Sequence, residues 1–155
     1  MLMLVVFAVL LVAPAPLGAF AAGRQSGRQV VEPDPLPAPV DGTAALSLLE
    51  FNARSLFDEE RSLEGRRVRL VGFVTPRSEQ GDYLLTRFVV SCCAADGTPA
   101  MVQVHSDRAR PADTWLEVEG IWRPGSGATP SEPPSMDVES VREVRQPDRL
   151  YAYAG

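Results

Sequence analysis

Arg66–Thr75, RRVRLVGFVT, is the stretch whose reading decides the fold. It sets Val68, Leu70, Gly72 and Val74 against Arg67, Arg69, Val71, Phe73 and Thr75. A period of two is that of a strand, whose successive side chains leave on opposite faces. The second face turns from arginine to apolar part-way, which predicts a strand half-exposed at its start and buried on both sides later. Gly72 inside it predicts a bulge or bend, the device by which a small barrel turns a corner. Pro76 ends the strand, and Ser78–Asp82 makes the turn that follows.

The same period recurs downstream. Asp82–Cys93 alternates Leu84, Thr86, Phe88, Val90 and Cys92 with Leu85, Arg87, Val89, Ser91 and Cys93, and Ala94–Gly97 reads as a turn. Pro99–His105 and Trp115–Arg123 alternate again, the latter with Leu116, Val118, Gly120 and Trp122 on one face. Met136–Val144 is a last strand whose apolar positions slip phase once, and Gln146–Gly155 is a tail expected to pack loosely or fray. Upstream, Ala44–Glu60 carries Leu46, Leu49, Phe51, Ala53, Leu56 and Phe57 near helical spacing, with Thr43 or Asp41 as its cap. The acidic run Asp58–Glu60 opposes the helix dipole and should stop the helix. One helix followed by five strands predicts a mainly β fold, a small OB-like Greek-key barrel over residues 44–155. A simple meander sandwich is the alternative.

The first 23 residues carry no charge, and Leu2–Val12 is an unbroken apolar run. As a helix, Leu2–Ala22 would extend about 31 Å, enough to cross a bilayer core. Residues 1–23 are therefore read as a membrane anchor or signal segment, which makes the cell membrane the expected location and leaves the side of the β-domain open. Ala19-Phe20-Ala21 fits a signal-cleavage site, but no basic residue precedes the apolar run. Arg24 and Arg28 follow it, where basic residues hold a helix end in the cytoplasm. Residues 24–43, with EPDPLPAP, read as a proline-rich linker.

Composition narrows the function. A net charge of -5 argues against nucleic acid as a partner, although Arg66, Arg67, Arg69 and Arg87 form the nearest thing to a basic groove. There is no Gly-rich phosphate loop, HExxH or GxSxG element, and His105 is the only histidine, so no enzyme constellation is found. Glu117 and Glu119 share a strand face, where a solvated surface is the simpler reading than an acid/base pair.

The only cysteines, Cys92 and Cys93, are adjacent. On a continuous strand they would point apart, Cys92 inward with Phe88 and Val90. If the strand breaks there, two thiolates converge near Asp96 and His105, a donor set for Zn²⁺, Cu(I) or another thiophilic ion. A redox-active thiol pair and a pair of small buried hydrophobes are the other readings.

As a set, LEGRRVRLVGFV, YLLTRFVVSCCAADGTPAMVQV, DTWLEVEG and the terminal Tyr-Ala-Tyr resemble the YcgQ-like family of permease subunits, a bacterial family of unknown function. The resemblance covers about residues 45–153 and is most specific from Arg87 to Asp96. It implies hydrophobic spans followed by a small β-domain, generally two spans where this chain shows one. It implies an accessory subunit of a multi-span permease of a kind linked to metal or metalloid export. Cys92, Cys93 and Asp96 are the positions that carry over.

Overall fold

The computed structural model describes residues 18–23, 35–77, 81–91, 96–129 and 131–153. In chain order the elements are α1 (Ala19–Ala22), β1 (Thr43–Ala45), α2 (Leu48–Phe57), β2 (Arg67–Pro76), β3 (Tyr83–Val90), β4 (Thr98–Val104), β5 (Trp115–Trp122), β6 (Ser135–Glu143) and β7 (Ala152–Tyr153). The protein is mainly β. Among the described residues seven strands run β1-β2-β5-β6-β4-β3-β7 across the sheet, and an added β2–β3 pairing joins the middle five into a ring. All ring pairings are antiparallel except β4 with β6.

Alternation builds the interior as expected. Val68, Leu70 and Val74 of β2 meet Leu85 and Val89 of β3, Val102 and Val104 of β4, and Leu116 and Val118 of β5 in one core. Each such side chain contributes about 1.5–3 kcal/mol by leaving water. The phase slip in the last strand has a geometric cause. The register shifts between Glu119, opposite Ser140, and Gly120, opposite Val138, so Glu139 is the extra residue of a bulge.

Gly72 has a different task from the predicted bulge. β2 pairs with β5 from Arg67 to Phe73 and with β3 from Phe73 to Pro76, so Gly72 precedes the point where the strand exchanges neighbours. A Cβ there would sit 2.7 Å from the carbonyl oxygen of Thr86. Glycine lets the two strands close.

The helix is shorter than its apolar spacing predicts. Ser47, not Thr43 or Asp41, is its cap: Ser47 Oγ accepts from the Glu50 N–H at 3.1 Å, and the Glu50 carboxylate accepts from the Ser47 N–H at 3.0 Å. This is a capping box, and its S-x-x-E pattern stands in the sequence at Ser47–Glu50. Asp41 (φ 53) and Gly42 (φ 78) instead turn the chain so that Thr43–Ala45 lies parallel to β2. The helix stops at Phe57, as its acidic end predicts. Asp58 then accepts from the backbone N–H groups of Glu60 and Ser62, at 3.1 and 2.9 Å, and from the Ser62 hydroxyl. Burial alone would raise its pKa, but these hydrogen bonds outweigh that and hold it below the usual carboxylate value. Leu48, Leu49 and Phe51 of α2 pack into the core, and Asn52 Nδ2 donates to the carbonyls of Leu48 and Met101 at 2.7 and 3.0 Å.

Two features depart from the sequence reading. Phe88 faces away from the main core: Leu85 and Val89 point into it, while Phe88 joins Phe73, Ala19 and Ala22 in a second cluster. The Phe73 and Phe88 ring centroids are 6.1 Å apart, and Trp115 stands edge-on to Phe73 at 5.6 Å. Residues of the hydrophobic N-terminal stretch thus lie on the sheet, and the Ala19 N–H donates to Asp113 Oδ1 at 2.7 Å. The tail expected to fray forms β7, parallel to β3 at Val89 and Val90. The expected spanning helix falls mostly on residues 1–17, outside the described residues; among those described, no helix is long and apolar enough to cross a membrane.

Candidate functional site

Cys92 and Cys93 lie outside the described residues, and the segment that carries them is known by its ends. β3 was expected to run to Cys93 but ends at Val90, before the cysteines. The Ser91 N–H donates to Asp96 Oδ1 at 3.3 Å, which ties together the residues flanking the cysteine segment. Val89 pairs with Thr98 of β4 and with Ala152 of β7, so the base of the segment is anchored on both sides.

His105 is elsewhere. β4 separates it from Asp96, and at 3.3 Å per residue a strand of that length spans roughly 20 Å. His105 Nδ1 stands 3.3 Å from Asp82 Oδ2, while Asp82 Oδ1 accepts from the Ser106 N–H at 3.2 Å. The pair fastens the end of β4 to the start of β3. Asp96 and His105, two of the four residues considered as a donor set, therefore stand at opposite ends of β4. Among the described residues no group of three or more His, Cys, Asp or Glu side chains could hold a metal ion.

The other candidates are taken up by ion pairs. Arg69 Nε meets Glu119 Oε1 at 2.6 Å and Glu117 Oε1 at 3.9 Å, and Arg142 Nη2 meets the same Glu117 oxygen at 2.7 Å. Two carboxylates so held are ill placed for proton transfer. Arg67 is paired with Glu139. Hydrogen bonding to these glutamates raises the pKa of both arginines. Two of the four arginines weighed as a basic groove thus meet glutamates.

Arg87 behaves differently. It lines a groove of about 480 Å³ with Leu46, Arg69, Val71, Arg149 and Tyr151. The groove opens where the ring is incomplete. β2 pairs with β1 over Arg67–Arg69 and with β3 only from Phe73, whereas β3 pairs with β2 over Tyr83–Thr86 and with β7 at Val89 and Val90. Between those pairings the two strands part, and the short strands β1 and β7 flank the gap. Arg87 Nη2 donates to the Arg149 carbonyl at 2.5 Å, and its guanidinium carbon lies 5.6 Å from the Trp115 ring centroid. Desolvation lowers its pKa. Arg149 sits in the stretch read as a fraying tail, and nothing in its local sequence signals this position.

The DUF1980 C-terminal domain matches residues 53–154. This chain belongs to the DUF1980 family. The matched span starts inside α2 and ends after β7, so the DUF1980 domain comprises the strand ring, the cysteine segment and all of β3 and β7 at the groove. A family without assigned chemistry is what the sequence motifs point to, and the match agrees at that level. No curated protein matches the chain.

Proposed function

We propose that this DUF1980 domain is an OB-type barrel acting as a membrane-anchored accessory subunit of a multi-span permease, with no catalytic step of its own. Cys92, Cys93 and Asp96 bind a thiophilic ion, Zn²⁺ or Cu(I), and present it to that partner. The barrel reading is supported by the ring order β2-β5-β6-β4-β3, in which β6 lies between β5 and β4 and so departs from a simple meander. The YcgQ-like resemblance supports the permease and the anchor.

The observation that carries the ion reading is the end of β3 at Val90 together with the Ser91–Asp96 hydrogen bond. The hydrogen bond brings a carboxylate-bearing residue to the base of the segment that carries the two thiols. Two thiolates and a carboxylate leave one position of a tetrahedral site for water, the cargo ligand or a residue of the permease.

The test is a titration of the purified protein with Zn²⁺, Cu(I) and arsenite beside the Cys92→Ser/Cys93→Ser double variant. Binding lost in the variant supports the site, and equal binding by both proteins removes it. Rapid alkylation of a thiol near neutral pH without ion binding would favour a redox role instead. The anchor is tested separately: the full chain should stay with washed membranes, and recovery in the soluble fraction overturns that part.

A further inference from the structure

We propose that the groove between β1 and β7 binds an organic oxyanion, a phosphate or carboxylate group on a short apolar body, with Arg87 and Arg149 as its cationic contacts. Arg87 is half-buried, and its described partners are one backbone carbonyl and the Trp115 ring. Its Nε is buried without a hydrogen-bond partner. A guanidinium carries five N–H donors, and one carbonyl uses one of them. A cation drawn from water without a counter-charge is costly, so such a group is normally paired or meets an anion. No described carboxylate pairs with Arg87.

The neighbours sharpen the assignment. Arg69 also lines the groove, but Glu119 compensates its charge at 2.6 Å. Glu50, three residues beyond Ser47 of the lining, is held by Ser47 in the helix cap, and Asp148, beside Arg149 in the chain, is exposed. Arg149 is exposed and contributes the second cation. Leu46, Val71 and Ala152 supply an apolar part to the lining. A volume of about 480 Å³ falls within the range of small-molecule clefts. A planar fork facing a groove suits the paired oxygens of a phosphate or carboxylate. This site is independent of the cysteine segment and stands or falls without it.

The full chain is titrated calorimetrically with n-butyl phosphate and, separately, with butyrate, at constant ionic strength set by chloride. Saturable binding of either probe is expected, and the one that binds identifies the anion class. Arg87→Gln should weaken it at least tenfold and Arg149→Gln several-fold, while Arg142→Gln, on the Glu117 side, leaves it unchanged. Because Arg149 is exposed, its variant decides the matter even if Arg87→Gln fails to fold. Absence of saturable binding by both probes overturns the proposal, as does binding that Arg149→Gln leaves untouched.

Discussion

The two edges of β2 show opposite ways of treating charge. Along the β5 edge, pairing is continuous from Arg67 to Phe73. Arg69 stands directly across from Glu119 there, and Arg67 reaches Glu139 of the next strand. Along the other edge, pairing with β1 stops at Arg69 and pairing with β3 begins at Phe73. Arg87 stands where that edge is broken, without a carboxylate opposite. A paired strand presents a partner side chain that can carry the matching charge, as Glu119 does for Arg69, whereas the register partner of Arg87 on β4 is Ala100. A parted pair of strands presents none, and leaves a cavity with an uncompensated cation in it.

The largest test of this contrast is in the apolar layer. Leu70 is fully buried in the ring, whereas Val71, the next residue, is half-buried at the groove. Leu70→Ala should cost about 2–5 kcal/mol in denaturant unfolding, and Val71→Ala less than about 1.5 kcal/mol. Equal losses would mean that the groove is as tightly packed as the core.

Next comes the corner itself. Gly72→Val places a branched side chain against the Thr86 carbonyl and should cost about 1–3 kcal/mol. It should also open the β2–β3 pairing, seen as faster amide exchange at Phe73 and Thr86. Gly42→Ala meets nothing within 4 Å and carries only the strain of its φ of 78, so it should cost about 1 kcal/mol. A Gly72 variant as mild as the Gly42 one would refute the close approach.

Ser47→Ala removes the cap of α2 beside the groove and should lower stability by about 1 kcal/mol. Restoring the cap with Asp should recover most of the loss. The smallest effects belong to the arginines. Arg69→Gln breaks a pair at a part-exposed position and should cost less than loss of the helix cap, and less still at high salt. Arg87→Gln in buffer free of phosphate and carboxylates should cost nothing or add stability, because it removes a desolvated charge. A larger loss for Arg87 than for Arg69 in such buffer would show that Arg87 serves mainly to hold the tail through the Arg149 carbonyl.

The strands were legible because each buries one face, and burying one face imprints a period of two. Leu116, Val118 and Trp122 are buried where their alternation places them, and even the phase slip of β6 has its counterpart in the bulge at Glu139. The face of Phe88 was not legible. Both faces of β3 are apolar, and what covers the outer one is α1, more than sixty residues earlier in the chain. Of the site, Asp96 at the base of the cysteine segment was legible from its nearness in sequence. The separation of His105 from Asp96 was not, since it depends on the length of β4 and on Asp82 at the far end of β3.

By itself the sequence determined the strand period, the helix and its end at the acidic run, the glycine at the corner and the pair of adjacent thiols, because each is set by residues close together in the chain. Tertiary structure alone decided which strand closes against which, where β2 and β3 part, and which arginines meet a glutamate. Those outcomes depend on contacts between segments far apart in the chain, such as Arg67 with Glu139 and Arg87 with Arg149. Local pattern sets what a segment wants to bury; only the assembled sheet sets what lies opposite it.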